Sequence, residues 1–406
     1  MSRAPAPPGR SLLWTGVLPP HQGGAAVSGF QMLVGLAQCG YRIRSLAPIT
    51  AEMADSGRAF DTAHPELGIS RFQVPYAETS PHTPASDAYR DIEQGSIETE
   101  LSSLIAAERP DVLILGRETF AWRTPSLAER RALPCILRIA GGFLAGVVDG
   151  TYPTHLVSQW VDQVRKVDLI IGQTESVAAN LRALGLSRIR IIPNAVDLDR
   201  FVPAPKDERL RRELDVDGDR VIIMHVSNLK PLKRALDIVE SATVALRQNP
   251  RLIYVIVGDG IDRQRMEAAC REHGVGDRFR FVGWVPYDRI PAYLNLADVV
   301  VMPSASEAQA RVYLETQACA RTLLASDIVG ARHIIEHERT GLLFRCGDVT
   351  DLTDKTLAAA ADPALRARVG NNARRRVTVH SLRDVAAAYG HAIEDVVRAR
   401  HAVGPS

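Results

Sequence analysis

The sequence predicts an α/β protein built from two tandem, doubly wound, Rossmann-like domains. Three observations lead there. At 406 residues the chain is longer than one hydrophobic core usually serves, which implies two domains of roughly 150 to 200 residues. Short apolar runs alternate with amphipathic helical stretches, once from Ser11 to Ile192 and again after Lys206, as parallel strands covered by helices do. Between the two series lies Phe201-Val202-Pro203-Ala204-Pro205-Lys206, a proline-containing stretch suited to a linker.

Residues 1–10 are rich in proline and lack the apolar stretch of a signal peptide, so a disordered leader is expected. The first domain then covers 11–204. Leu12–Leu18 reads as its first strand, Pro19 to Gly24 as a loop, and Ala25–Cys39 as a helix that Gly40 can terminate. Further strands are expected at Arg42–Leu46, Val112–Leu115, Cys135–Ile139 and Leu169–Gly172. The stretch from Ala51 to Asp91 has weak periodicity and several prolines and reads as irregular, either bordering a site or a plain surface insertion. The second domain, 205–381, repeats the alternation with strands at Val221–Val226, Leu252–Val257, Phe279–Val282, Val299–Met302 and Thr322–Ala325. Two such domains in tandem would place the carboxyl ends of both sheets around a cleft, where ligands of these folds bind.

A hydrophobic fraction of 46% and a charged fraction of 24% are ordinary for a soluble globular protein. The formal charge of +2 lacks the positive field that non-specific nucleic-acid binding requires, and Arg374-Arg375-Arg376 reads as a solvated helix face. Five scattered cysteines with no C-x-x-C pair fit a reducing, cytoplasmic setting. No apolar run reaches the length of a spanning helix, which restricts membrane contact to the peripheral kind. No internal repeat or sustained heptad suggests a scaffold.

The most informative chemistry follows the strand Val299–Met302. Glu307 falls in the turn after Pro303-Ser304, and Glu315 lies one to two turns into a helix expected over Arg311–Ala320. The N-terminus of that helix favours a phosphate, and a carboxylate on each side of it suits a ligand with hydroxyls at both ends of a diphosphate. A nucleotide sugar is such a ligand. The spacing alone fits equally a helix with one capping and one exposed glutamate. Lys233 follows the first strand of the second domain at a carboxyl end, where an ammonium can neutralise a diphosphate or simply be solvated. Gly23 and Gly24 permit close backbone approach of a phosphate or sugar, or a tight turn, and are not a G-x-G-x-x-G fingerprint. Val257-Gly258-Asp259-Gly260 reads as a structural turn, and Asp215-Val216-Asp217-Gly218-Asp219 as a turn in preference to a metal site.

Together these segments resemble the nucleotide-sugar-dependent glycosyltransferases of the two-Rossmann (GT-B) type, specifically the retaining family four, the group 1 glycosyl transferases. Ile192-Pro193-Asn194-Ala195-Val196-Asp197-Leu198-Asp199-Arg200-Phe201 is similar to the family's hinge, I-P-N-G-V-D-x-x-x-F. Ser227-Asn228-Leu229-Lys230-Pro231-Leu232-Lys233-Arg234 matches the G-R-L-x-x-x-K-G turn in spacing and resembles the N-acetylglucosaminyl malate synthase branch in detail. The resemblance implies that a C-terminal helix, 382–400, returns to the first domain. It implies that Lys233 contacts the donor diphosphate, Glu307 the donor sugar and Glu315 the ribose. Backbone N–H groups of Ala310, Arg311 and Val312 would meet the diphosphate, and the Gly283-Trp284 segment the nucleobase. Asn228 stands where the family has an arginine, whose charge Lys230 or Arg234 would replace. Ala140 replaces the usual sugar-site histidine, leaving Arg138 and Gly141 nearby. Ala308 and Ala310 replace loop glycines, at a cost of about 1 kcal/mol wherever the backbone has φ > 0.

The resemblance implies a metal-independent, retaining sugar transfer from a nucleoside diphosphate sugar, expected to be a UDP-sugar. The acceptor would be an unidentified hydroxyl of a small molecule, a lipid-linked intermediate or a polysaccharide. No cofactor and no nucleic-acid partner are expected. A nucleotide-sugar epimerase and a non-catalytic nucleotide-sugar binder are the alternatives.

Overall fold

The computed structural model describes residues 9–403 apart from 22, 75–86, 141, 149 and 217. Most of the expected leader 1–10 therefore lies outside the described residues. The chain divides into two compact units, residues 1–195 with 382–406, and residues 196–381. The division comes at Ala195/Val196, ahead of the expected 204/205 boundary. The reason is packing: Val196 and Phe201 are wholly buried in the core of the second unit, so the segment read as a linker belongs to that unit.

The first unit holds a seven-stranded, all-parallel sheet. Its strands are β1 (Ser11–Thr15), β2 (Arg42–Ile49), β3 (Ile69–Gln73), β4 (Val112–Leu115), β5 (Cys135–Arg138), β6 (Leu169–Gly172) and β7 (Ile189–Ile191), in the order β3-β2-β1-β4-β5-β6-β7. β1 ends at Thr15, before the expected Leu18. Beyond it the Trp14 ring lies so close to Gly16 that an added Cβ would sit 2.9 Å from it, and the same ring abuts Gly29 and Gly116. The stretch from Ala51 is not irregular as far as it is described: it forms a helix, Ala54–Ala63, and the edge strand β3. The remainder of that stretch up to residue 86 lies outside the described residues. The C-terminal helix, Leu382–Val403, packs on the helix Gly24–Gln38. Ala386 lies where a side chain on Gly35 would go, and Tyr41 donates to Gly390 O at 3.2 Å. Val385, Tyr389, Ala392 and Ile393 enter the same core as Leu12, Trp14 and Ile114.

The second unit repeats the topology with six parallel strands: β8 (Val221–Val226), β9 (Leu252–Val257), β10 (Phe279–Gly283), β11 (Val299–Met302), β12 (Thr322–Ser326) and β13 (Leu342–Phe344), in the order β10-β9-β8-β11-β12-β13. β8, β9, β11 and β12 are buried on both faces, which is why they read as continuous apolar runs. In both sheets the chain reverses its direction of growth once, between β1 and β4 and between β8 and β11. Loops leaving the carboxyl ends of such a strand pair lie side by side, the position where open α/β sheets bind ligands.

Candidate functional site

The loops after β8 and β11 carry Lys233 and Glu307, and the β8/β11 pairing brings them together. Lys233 closes a 3-10 turn, Pro231–Lys233, set by the proline and by Arg234 in a left-handed conformation at φ 49°. The Ala305 N–H donates to Leu232 O at 2.9 Å, tying one loop to the other. Lys233 Nζ then reaches Glu307 Oε1 at 2.6 Å, and the Ser304 hydroxyl donates to the same oxygen at 2.8 Å. Both partners are mostly buried, with side-chain exposures of 19% and 11%. Gly330 makes room for this loop, since a Cβ there would stand 1.9 Å from Glu307 O. Nothing in the local sequence marked Gly330, because its role comes from a contact across the fold, whereas Ser304 acts on a carboxylate three residues away.

Beneath Lys233 the end of β8 is fixed by His225. Its Nδ1 donates to Val301 O at 2.8 Å and its Nε2 accepts from the Ser227 hydroxyl at 2.7 Å. Burial pushes its pKa down to about 4, with the Lys233 charge adding to the effect, so the ring is neutral. Gly258 and Gly260 let the β8 and β9 loops touch, because Cβ atoms there would come within 1.8 Å of Ser227 O and 2.4 Å of Leu229 O.

The helix carrying Glu315 runs Arg311–Ala318 and ends sooner than expected, since Ala320 turns left-handed at φ 54°. Ala310 occupies its N-cap with φ −67° and no side-chain cap, and the Arg311 and Val312 N–H groups have no acceptor among the described residues. These two groups and the positive end of the helix form a place that favours an anion. The expected strain from the missing glycines does not arise, because neither Ala308 nor Ala310 has positive φ.

Glu315 itself is 5% exposed. It pairs with Arg311 at 2.6 Å and accepts from the Tyr287 hydroxyl at 3.1 Å. The Arg311 side chain therefore turns along the helix to Glu315. Arg234 is likewise engaged, at 2.8 Å with Asp237 in the first turn of the next helix, and that bond is the main cause of its raised pKa. Asn228 is exposed, and Trp284 is 53% exposed beyond the end of β10. Tyr287, which joins Arg311 and Glu315, was absent from the sequence reading, and no motif spacing points to it.

In the first unit Gly23 caps the helix Gly24–Gln38 at φ 107°, which requires glycine, and open space surrounds both Gly23 and Gly24. Arg138 is not an open binding group. It is 3% exposed and donates to the Ser28 hydroxyl at 2.8 Å, Gly116 O at 3.3 Å and Asn194 Oδ1 at 3.2 Å. Gly141 lies outside the described residues. Asp215 and Asp219 pair with different arginines, Arg280 and Arg251, as turn residues do, and Asp217 lies outside the described residues.

Two family models match the chain: Glycosyltransferase Family 4 over residues 22–200, and Glycosyl transferases group 1 over residues 206–376. A 2-deoxystreptamine N-acetyl-D-glucosaminyltransferase of Streptomyces fradiae is 30% identical over 54% of this chain and 55% of its own length. A D-inositol 3-phosphate glycosyltransferase of Gordonia bronchialis is 29% identical over 52% of this chain and 48% of its own length. The chain thus spans about half the length of the curated relatives it matches. Among solved structures, Anabaena HepE in complex with UDP and glucose aligns with a TM-score of 0.78 at 16% identity, covering 95% of this chain and 100% of that one. Sucrose-phosphate synthase of Thermosynechococcus elongatus aligns with a TM-score of 0.78 at 20% identity, covering 96% and 100%. These likenesses identify the fold as GT-B. Among the described residues, no helix is long and apolar enough to cross a membrane.

Proposed function

Because the chain belongs to the group 1 glycosyltransferases of the GT-B fold, we propose that it moves a sugar from a nucleoside diphosphate sugar to an acceptor hydroxyl. The finer parts of the proposal are a UDP-sugar donor, retention at the anomeric carbon, independence of a metal ion and a cytoplasmic setting. The observation that carries it is the Lys233–Glu307 pair at the β8/β11 reversal, beside the uncapped helix that bears Glu315.

On this reading the diphosphate occupies the helix N-terminus and draws Lys233 from Glu307, whose carboxylate accepts from hydroxyls of the donor sugar. Glu315 takes the ribose. When the bond between the anomeric carbon and the phosphate oxygen breaks, Lys233 and the Arg311 and Val312 N–H groups stabilise the charge left on the diphosphate. These groups supply the neutralisation for which a metal ion would otherwise serve. The acceptor hydroxyl adds to the same face of the anomeric carbon and passes its proton to the departing phosphate oxygen, so no protein base is required.

The test is an assay of UDP-, GDP- and ADP-sugars with a panel of acceptor hydroxyls, with EDTA and with Mg²⁺. Release of nucleoside diphosphate in EDTA with one donor is expected, and Lys233→Ala should lower kcat/KM about hundredfold. An isomerised sugar with no nucleotide released would replace transfer with epimerisation. Activity lost in EDTA and restored by Mg²⁺ would overturn the metal-independent part.

A further inference from the structure

Arg311 and Glu315 stand one helical turn apart, and their ion pair is almost wholly buried, with side-chain exposures of 9% and 7%. Arg311 Nη2 donates at 2.6 Å both to Glu315 Oε1 and to the Tyr287 oxygen, and the Tyr287 hydroxyl donates to the same Oε1. The guanidinium also lies over the Tyr287 ring, 4.8 Å from its centroid. Burial works against the Arg311 charge, yet Tyr287 and Glu315 outweigh it and its pKa is raised. Desolvation cancels much of the attraction in a buried pair, so stability alone explains this cluster poorly.

Two of its polar atoms are left over. Arg311 Nε is buried with no acceptor, and Glu315 Oε2 has no donor among the described residues. One N–H donor and one carboxylate acceptor complement a vicinal diol, of which one hydroxyl accepts from Nε and the other donates to Oε2. We propose that Arg311 is a second ribose-reading residue, acting with Glu315 on the 2′,3′-diol of the donor nucleotide while Tyr287 fixes the pair. This rests on the reading of Glu315 as the ribose partner. It assigns the nucleoside end of the site a two-residue reader in place of a lone carboxylate.

Calorimetric titration tests it. UDP, GDP and ADP are titrated into the wild-type protein, and the tightest of them is compared with its 2′-deoxy and 3′-deoxy forms. Arg311→Lys and Lys233→Ala are then measured with the same three ligands. Lysine keeps a cation opposite Glu315, and so the local fold, but lacks Nε–H. The wild type should disfavour each deoxy form about tenfold or more, as loss of a bond to a charged group predicts. Arg311→Lys should bring one of the two ratios close to one and leave the other, whereas Lys233→Ala should weaken all three ligands alike. If Arg311→Lys keeps both ratios, the arginine is structural only and the inference is wrong while the donor site stands. If it tightens all three ligands equally, Arg311 obstructs the site and the inference is also wrong. No binding of any nucleoside diphosphate to the wild type would instead remove the donor reading beneath it.

Discussion

The two sheets reverse direction at equivalent places, β1/β4 and β8/β11, but they use the basic residues nearby in opposite ways. In the first unit Arg138, at the end of β5, is sealed inside, with its donors committed to Ser28, Gly116 O and Asn194. In the second, Lys233 keeps 19% of its side chain exposed and pairs with one carboxylate, an interaction that a diphosphate can replace. Shared topology therefore supplies a location only. The partners that the surrounding side chains offer decide whether a cation there holds the fold or stays available for chemistry.

The largest expected effect tests Arg138. Arg138→Leu leaves a buried hydroxyl, a carbonyl and an amide oxygen without their donor, and should lower stability by about 3 kcal/mol or more while leaving nucleotide affinity unchanged. Urea unfolding and UDP titration on the same variant measure both. A drop in affinity at full stability would place Arg138 in the site and erase the contrast.

His225 sharpens the picture in the second unit. Its pKa is about 4 when folded against 6.5 for the free side chain, so between those values the unfolded chain binds the extra proton. The stability that depends on a neutral His225 is thus complete above pH 6.5. It should fall by up to roughly 3 kcal/mol as the pH drops toward 4. Stability measured against pH should flatten in His225→Gln across this window; an unchanged slope would assign the acid sensitivity elsewhere.

A smaller effect is expected from Gly330→Ala. Its Cβ would stand 1.9 Å from Glu307 O, so the loop must move, at about 2 kcal/mol of stability and with weaker nucleotide binding. Loss of stability with unchanged binding would show that Glu307 need not be held where it is.

The interior strands were legible because burial on both faces writes them as apolar runs: Val112–Leu115, Leu169–Gly172 and Val221–Val226 appear with the boundaries their residues suggest. The missed strands, β3, β7 and β13, are all sheet edges. Ile69-Ser70-Arg71-Phe72-Gln73 mixes polar and apolar residues because it is paired on one side only, and β7 and β13 have three residues each. At the site, Lys233 and Glu307 could be found because each sits at a fixed offset from a strand end. Tyr287 and Gly330 could not, since a tyrosine in a turn and a glycine after a strand acquire meaning only through contacts with distant residues. The direction of the Arg311 side chain was not legible either, because Glu315 and Tyr287 set it together.

In the proposed mode of binding the donor nucleotide is held by the second unit, with its diphosphate between Lys233 and the helix N-terminus and its ribose at Glu315. A crystal structure of the protein with UDP, or with whichever nucleoside diphosphate binds tightest, tests it most directly. Phosphate oxygens are expected within hydrogen-bond distance of Lys233 Nζ and of the Arg311 and Val312 N–H groups, with the ribose hydroxyls against Glu315. A nucleotide bound away from the β8 and β11 loops, with the Lys233–Glu307 pair undisturbed, would contradict it.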